Sequence, residues 1–188
     1  MKDNRTILVL VGRDVSGKDT VGAYVVKKYG FTQVVTGQLV RDYISEHQFG
    51  EPTRERMTKV ANEAREQYGA DFFIQRALKS DIKKLLINGA RAMGEIKAAR
   101  EAGGVVIATE APIERRYEWS RGRGRASDLV TFDEFVRLEK LASVNTSESG
   151  VNVEAMIAAA DYTIDNFADL PTLYAKVDAL MADLGIKV

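Results

Sequence analysis

The sequence predicts an α/β protein, a five-stranded parallel sheet with helices on both faces, in a single domain spanning residues 1–188. Three observations predict it. Short apolar runs alternate with helical segments along the chain. The first of these runs is continuous rather than alternating in polarity, the habit of strands buried on both faces. A glycine-containing turn joins it to the first helix, and there is no internal repeat and no long linker.

The elements follow in order. Thr6 to Val11 reads as a buried strand ending at Gly12. Lys18 to Tyr29 repeats Val21, Tyr24, Val25 and Tyr29 at helical spacing and closes at Gly30. Phe31 to Val35 is a second strand, and Thr36 is expected to N-cap a helix through His47. Helices are expected from Arg54 to Tyr68, ended by Gly69, and from Asp71 to about Lys84. Leu85-Leu86-Ile87-Asn88 is an apolar burst placed as a central strand. Glu95 to Ala102 is helical, Val105 to Thr109 a strand, and Pro112 suits the first turn of a helix to about Trp119. Thr131 and Glu134 form a capping box for a helix to about Val144. Tyr162-Thr163-Ile164 and Pro171 to Leu184 supply the last strand and helix.

Composition narrows the function. Among 188 residues, Lys plus Arg number 27 and Asp plus Glu 27, so no global basic field exists to gather nucleic acid or anionic membrane. Cysteine is absent, which removes thiol nucleophiles, disulfides and cysteine-ligated zinc. The single histidine, His47, removes a His-rich metal site and is assigned no role. No apolar run has the length of a signal-peptide core or a membrane span, so a cytoplasmic protein is expected, with no membrane and no nucleic-acid partner.

The chemistry concentrates in Gly12-Arg13-Asp14-Val15-Ser16-Gly17-Lys18, which matches G-x-x-x-x-G-K. Glycines let main-chain N–H groups turn inward around phosphate oxygens, and the following helix points its positive end at the same anion. Lys18 is placed to reach the β- and γ-phosphates. Where the pattern has Ser or Thr as a magnesium ligand, this chain has Asp19, then Thr20. A carboxylate oxygen is a hard ligand suited to Mg²⁺. The alternative is an ordinary acidic residue in the first turn of a helix.

With this loop in place, the chain resembles the P-loop nucleoside and nucleotide kinases over about Ile7 to Leu180. Ser16-Gly17-Lys18-Asp19-Thr20 is similar to the loop of deoxynucleoside monophosphate kinases. Thr36-Gly37-Gln38-Leu39-Val40-Arg41 resembles the segment with which adenylate kinases grip the acceptor nucleotide. Asn88-Gly89-Ala90-Arg91 is similar to an aspartate-glycine-x-arginine segment of adenylate-kinase-like proteins. Ala160 to Asn166 resembles the late strand of dephospho-CoA kinases. Together they look closest to small, mainly archaeal, adenylate-kinase/dephospho-CoA-kinase-like proteins.

The resemblance implies ATP as donor with Mg²⁺, the metal held by Asp19. It implies ATP binding by Gly12, Arg13, Asp14, Val15, Ser16, Gly17, Lys18, Asp19, Thr20 and Asn166. It implies acceptor binding by Thr36, Arg41 and Arg91 within a helical region of about residues 36–84, with Arg65, Tyr68 and Asp71 nearby. Taken alone, Arg41 reads equally as a surface partner of Asp42 or Glu46. Asn88 stands where an acidic residue is expected, leaving Glu95 and Asp19 as the two candidates for the missing carboxylate.

Five arginines, Arg115, Arg116, Arg121, Arg123 and Arg125, crowd one stretch. Ser120 to Ser127 has no hydrophobic periodicity, and glycines at 122 and 124 would let it close as an arginine-rich lid over about residues 120–131. Arg121 and Arg123, or Arg125, are then the catalytic lid groups beside Lys18, neutralising charge on the transferring phosphoryl group. Thr36-Gly37-Gln38 carries no carboxylate to deprotonate a hydroxyl. A nucleoside monophosphate, already ionised, is therefore the expected acceptor. The 3′-hydroxyl of dephospho-CoA is the alternative, and a nucleotide-dependent switch without an acceptor is an alternative of another class.

Overall fold

The computed structural model describes residues 5–124, 129–143 and 151–188. Five strands form one all-parallel sheet: β1 (Thr6–Val11), β2 (Thr32–Val35), β3 (Lys84–Asn88), β4 (Val105–Glu110) and β5 (Tyr162–Asp165), in the order β2-β3-β1-β4-β5. The first strand is thus the central one. Between them run α1 (Lys18–Tyr29), α2 (Thr36–Glu46), α3 (Arg54–Tyr68), α4 (Phe72–Leu78), α5 (Met93–Glu101), α6 (Ile113–Arg123), α7 (Phe132–Ser143) and α8 (Val153–Ala158), and α9 (Leu170–Asp183) closes the chain.

Period-two alternation in β1 divides the core. Ile7, Val9 and Val11 face a cluster with Ile74, Ile96, Ala99, Val153 and Met156, from α4, α5 and α8. Leu8 and Leu10 face the opposite cluster, with Val21 and Val25 of α1 and Leu173, Val177 and Met181 of α9. This two-sided burial explains the unbroken apolar run. A third cluster, Val40, Ile44, Val60, Ala61, Ala64 and Phe73, joins α2, α3 and α4 to one another.

Four elements depart from the sequence expectation. α4 ends at Leu78 rather than near Lys84. The Arg5 guanidinium accounts for the stop: it donates to the carbonyls of Ala77 (3.0 Å), Leu78 (2.5 Å) and Ile82 (2.9 Å), the acceptors an ending helix exposes. α6 continues four residues past Trp119 to Arg123, with Ser120 buried. α2 begins at Thr36 itself, so Thr36 is not its N-cap; Val35 holds that place, and the Thr36 hydroxyl donates to the Gly89 carbonyl. α8 was not expected. The Asn152 side chain caps it, accepting from Ala155 N–H at 3.0 Å. Thr131 caps α7 as expected, accepting from Glu134 N–H at 3.3 Å, but the Glu134 carboxylate turns to Arg137. Among the described residues no helix is long and apolar enough to cross a membrane.

α1 and α9 are joined by a polar clasp. Asp178 accepts from Lys28 at 2.7 Å, Tyr29 at 2.7 Å and Tyr24 at 3.0 Å, and Tyr24 stacks on Tyr174 with ring centroids 4.1 Å apart. Burial favours the protonated acid, but the hydrogen bonds from Lys28, Tyr29 and Tyr24 outweigh it and hold Asp178 below the usual carboxylate range. A carboxylate held low stabilises the fold fully above about pH 4 and ceases to do so as pH falls through its lowered value. Acidification from about pH 5 to about pH 2.5 is therefore expected to depress the melting temperature of wild type more than that of Asp178→Asn. Parallel pH profiles would show that the clasp carries no such linkage.

Candidate active site

β1 delivers its last residue into a loop at the centre of the sheet's carboxyl edge, where α/β folds collect ligands. The loop turns through left-handed conformations at Gly12 (φ 143°), Val15 (φ 60°) and Gly17 (φ 103°). Only glycine suits two of them. A Cβ on Gly12 would collide with the Thr109 carbonyl, and one on Gly17 with the Asn166 amide. Val15 holds its conformation at a cost of about 1–3 kcal/mol, a strain characteristic of ligand-gripping turns. Below the loop, Ser16 Oγ and Thr109 Oγ1 are hydrogen-bonded at 2.7 Å, and Asn166 Nδ2 donates to the Ser16 carbonyl at 3.1 Å. Asn166 thus meets the loop from the far end of the chain.

Lys18 opens α1 and folds back over this ring. Its buried Nζ donates to the carbonyls of Gly12 (2.8 Å) and Arg13 (2.6 Å). Burial, then the nearby charge of Arg91, pushes its pKa down to about 8. Thr20 lies half-buried two residues on, and Asp19 is exposed beside it, its Oδ1 accepting from Asn88 Nδ2 at 2.9 Å. Asn88 Oδ1 is buried and has no hydrogen-bond partner among the described residues.

Arg91 stands at this loop. It donates to Asp14 at 2.9 Å, and the Asp14 charge, against burial, raises its pKa. Its main chain is held by Glu95, whose Oε2 accepts from the N–H groups of Arg91 (2.6 Å) and Ala92 (3.2 Å). Glu95 is fully buried and its other oxygen accepts from Arg65 at 3.2 Å. Both of its oxygens thus serve the protein, whereas Asp19 is exposed with one oxygen on Asn88.

Arg116 is the residue that sequence reasoning passed over within the arginine run. Only 2% exposed, it pairs with Glu139 of α7, with Nη2 to Oε1 at 2.8 Å, and donates to the Ala111 carbonyl at 3.0 Å and, at 3.4 Å, to the carbonyl of Asp14. Arg13 ties the loop to Glu110 at 3.0 Å, to Glu139 at 3.5 Å and to Glu154. Burial opposes its charge, but these carboxylates more than restore it and its pKa rises. The signal that could have found Arg116 is its spacing. Arg116 and Ser120 lie four apart, a helical pair facing inward.

Other expected groups stand apart from the loop. Thr36 is buried against Gly89, but Arg41 is exposed, 3.4 Å from Gln38, and lines a cleft with Gln38, Asp42, Gly50 and Glu51. Arg41 thus bonds to Gln38, whereas Arg91 bonds to Asp14. Arg121 and Arg123 lie exposed in the last turn of α6, in helix rather than in a free loop, and Arg125 falls outside the described residues. Tyr68 of α3 and Phe72 of α4 stack at 4.9 Å, and the exposed His47 lies against the half-buried Tyr43 at 4.1 Å.

Comparison with known proteins agrees with this geometry. A family model described as an AAA domain matches residues 11–131. A UPF0200 protein of Pyrococcus abyssi is 32% identical over 171 residues, covering 85% of this chain and 87% of the relative. One from Hyperthermus butylicus is 27% identical over 186 residues, covering 96% of each. The UPF0200/UPF0201 protein of Archaeoglobus fulgidus is 29% identical over 192 residues, and the chain spans 57% of its length. Among solved structures, a shikimate kinase from Bacteroides thetaiotaomicron superposes with a TM-score of 0.65 at 13% identity, covering 96% of this chain and 98% of the other. One from Acinetobacter baumannii, in complex with shikimate, gives 0.57 at 16% identity, covering 99% and 97%. At those identities the likeness is one of fold.

The lowered Lys18 pKa has a measurable consequence. A polyphosphate seated in the loop favours the ammonium form, so binding above about pH 8 is expected to take up protons and to weaken as pH rises. Calorimetry of ATP binding in buffers of differing ionisation enthalpy checks this. Lys18→Met should abolish the uptake, and an unchanged uptake would assign the titration to another group.

Proposed function

The chain belongs to the UPF0200 proteins and to the AAA domain family, and from that premise we propose that it is an ATP- and Mg²⁺-dependent phosphotransferase acting on a nucleoside monophosphate. The observation that carries the reading is the Gly12–Lys18 loop, with its left-handed turns at Gly12 and Gly17 and the Lys18 amine held at its mouth beside Arg91. The amino end of α1 and two cations, Lys18 and Arg91, meet at this loop, which suits a triphosphate tail. Phosphoryl transfer asks a protein chiefly to position and neutralise. Lys18 and Arg91 are placed for the second task, and the loop main chain for the first.

The donor set fits Mg²⁺. Asp19 supplies a carboxylate, and the unpartnered Asn88 Oδ1 a neutral oxygen that can hold a metal-bound water. One carboxylate with waters and substrate phosphates is the usual way this ion is held. No group of three His, Cys, Asp or Glu among the described residues could hold a metal, which suits an ion that arrives with the nucleotide. When bound, Mg²⁺ supplies positive charge to the β- and γ-phosphate oxygens.

The choice of acceptor rests on the carboxylates around the loop. Asp14 is engaged by Arg91, Asp19 by Asn88 and Glu110 by Arg13. An acceptor that is already ionised requires no base from them, which favours a nucleoside monophosphate held by Thr36, Arg41 and Arg91. Asp14 favours a second reading, since its carboxylate lies within the loop and would be the base for a hydroxyl acceptor such as the 3′-hydroxyl of dephospho-CoA. Arg121, Arg123 and Arg125 belong to the proposal as lid groups.

ADP release from ATP and Mg²⁺ is the measurement that separates these. A nucleoside monophosphate is expected to raise it at least about 10²-fold above the water background, and Lys18→Ala to remove about 10²–10³ of that rate. Stimulation by dephospho-CoA alone would install the hydroxyl reading, and no stimulation by any acceptor would leave a nucleotide-dependent switch. Arg41→Ala should raise the KM of the acceptor well above its effect on the KM of ATP; equal shifts would remove Arg41 from acceptor binding.

A further inference from the structure

α3 packs on α2 and α4 within the third hydrophobic cluster, apart from the two clusters that line the sheet. One side chain of α3 leaves that layer. Arg65, 3% exposed, reaches Glu95 of α5, 0% exposed, at 3.2 Å, and this is the buried ion pair among those described. Glu95 in turn takes the N–H groups of Arg91 and Ala92, and the Arg91 side chain ends on Asp14 inside the phosphate loop. The four residues form a continuous line from the helical layer to the loop.

The guanidinium of Arg65 also lies over the Phe73 ring, 5.4 Å from its centroid, and Glu95 caps the start of α5, but the ion pair itself adds little stability. Its geometry is a single contact rather than a fork, and Arg65 Nε is buried with no hydrogen-bond partner among the described residues, as is Asn62 Oδ1 one turn earlier. A buried ion pair with unsatisfied donors gains little over an apolar substitute and often less than nothing. What the carboxylate does accomplish is geometric. With one oxygen on two successive main-chain N–H groups it fixes the turn from which Arg91 projects, and the Arg65 guanidinium, bonded to the other oxygen, holds that carboxylate in place. We infer that Glu95, held by Arg65, is the positioning residue that presents Arg91 to the phosphate loop, so that the acceptor-side helix α3 and the loop are set as one unit. The inference rests on the phosphotransferase reading for what Arg91 touches, but the placement itself involves only residues of this chain.

The experiment is a double-mutant cycle read by ATP affinity in the presence of Mg²⁺, using calorimetry on the full chain. In the parent, Arg91→Ala is expected to weaken ATP about tenfold. In the Arg65→Met/Glu95→Leu background, which buries no charge and leaves no acceptor for the Arg91 and Ala92 N–H groups, the chain should still melt cooperatively while ATP affinity falls by a similar factor. There Arg91→Ala should cost less than about twofold more. A purely structural pair would leave the effect of Arg91→Ala the same in both backgrounds, and that result overturns the inference, as does an Arg91→Ala that costs nothing in the parent. Glu95→Asp guards against misfolding of the double variant. It keeps the charge but draws the carboxylate back by one methylene, and should weaken ATP about threefold or more in a way that Arg91→Ala abolishes. Unchanged affinity in Glu95→Asp also overturns the inference. A parent that binds no ATP at all sinks the phosphotransferase reading instead, and the two failures are told apart by that single control.

Discussion

The structure is organised by one close approach. Where β1 ends, the main chain must turn within reach of the β4 carbonyl at Thr109 and of the Asn166 amide beyond β5. No side chain fits at Gly12 or Gly17, so the backbone itself becomes the lining of the edge. The consequences spread outward. The strand that carries the loop has to be rigid, and β1 achieves this by lying between β3 and β4 with both faces covered. α1 has to start at once, and so its positive end and Lys18 arrive at the same point.

A loop of this kind draws cations together, and the chain answers each with a carboxylate taken from elsewhere. Arg13 meets Glu110, Glu139 and Glu154; Arg116 meets Glu139; Arg91 meets Asp14; Arg65 meets Glu95. The balanced formal charge of the sequence is in this sense also a local property of the site. Lys18 is the exception. It donates to carbonyls rather than to a carboxylate, is buried, and is the cation whose charged form the protein disfavours. Under the proposed function, a phosphate in the loop would restore the charged form of Lys18 that burial disfavours.

The parts of this arrangement that were legible in the sequence are those whose cause is local. The apolar run of β1, the glycines of the loop and the periodicity of α1 each lie within a few residues of what they specify. The contact of Asn166 with Ser16 was not legible, because nothing near either residue in the chain says that they will meet, 150 residues apart. Arg5 on α4, Glu139 on Arg116 and Glu95 on Arg65 were not legible at all. Each is an ordinary charged residue whose meaning is its partner, and those partners lie 72, 23 and 30 positions distant. The end of α4 was misplaced for the same reason: a guanidinium from before β1, not a breaker in the helix, supplies the stop.

The arginine run shows how the helix sorts residues that composition cannot. At about 100° per residue, Arg123 lies seven positions after Arg116 and so falls on nearly the same stripe, whereas Arg121 lies well round the helix. Seven residues also carry Arg123 about 10 Å along the axis. Arg116 and Ser120 are buried at the base of this stripe while Arg123 is exposed beyond it. α6 and α7 form a hairpin anchored at that base by Arg116 and Glu139, and further out by Tyr117 against Phe132 and Phe135 at 5.3 and 5.7 Å. If Arg123 is a lid group, as proposed, it would reach the phosphate loop by a tilt of α6 and α7 about the Arg116–Glu139 anchor or by unwinding of the last turn of α6. Of these, tilting keeps the aromatic contacts and the helix hydrogen bonds, and it would present Arg123 before Arg121. Glu139 also contacts Arg13 of the loop, so the anchor of any such motion is in register with the phosphate site it would cover.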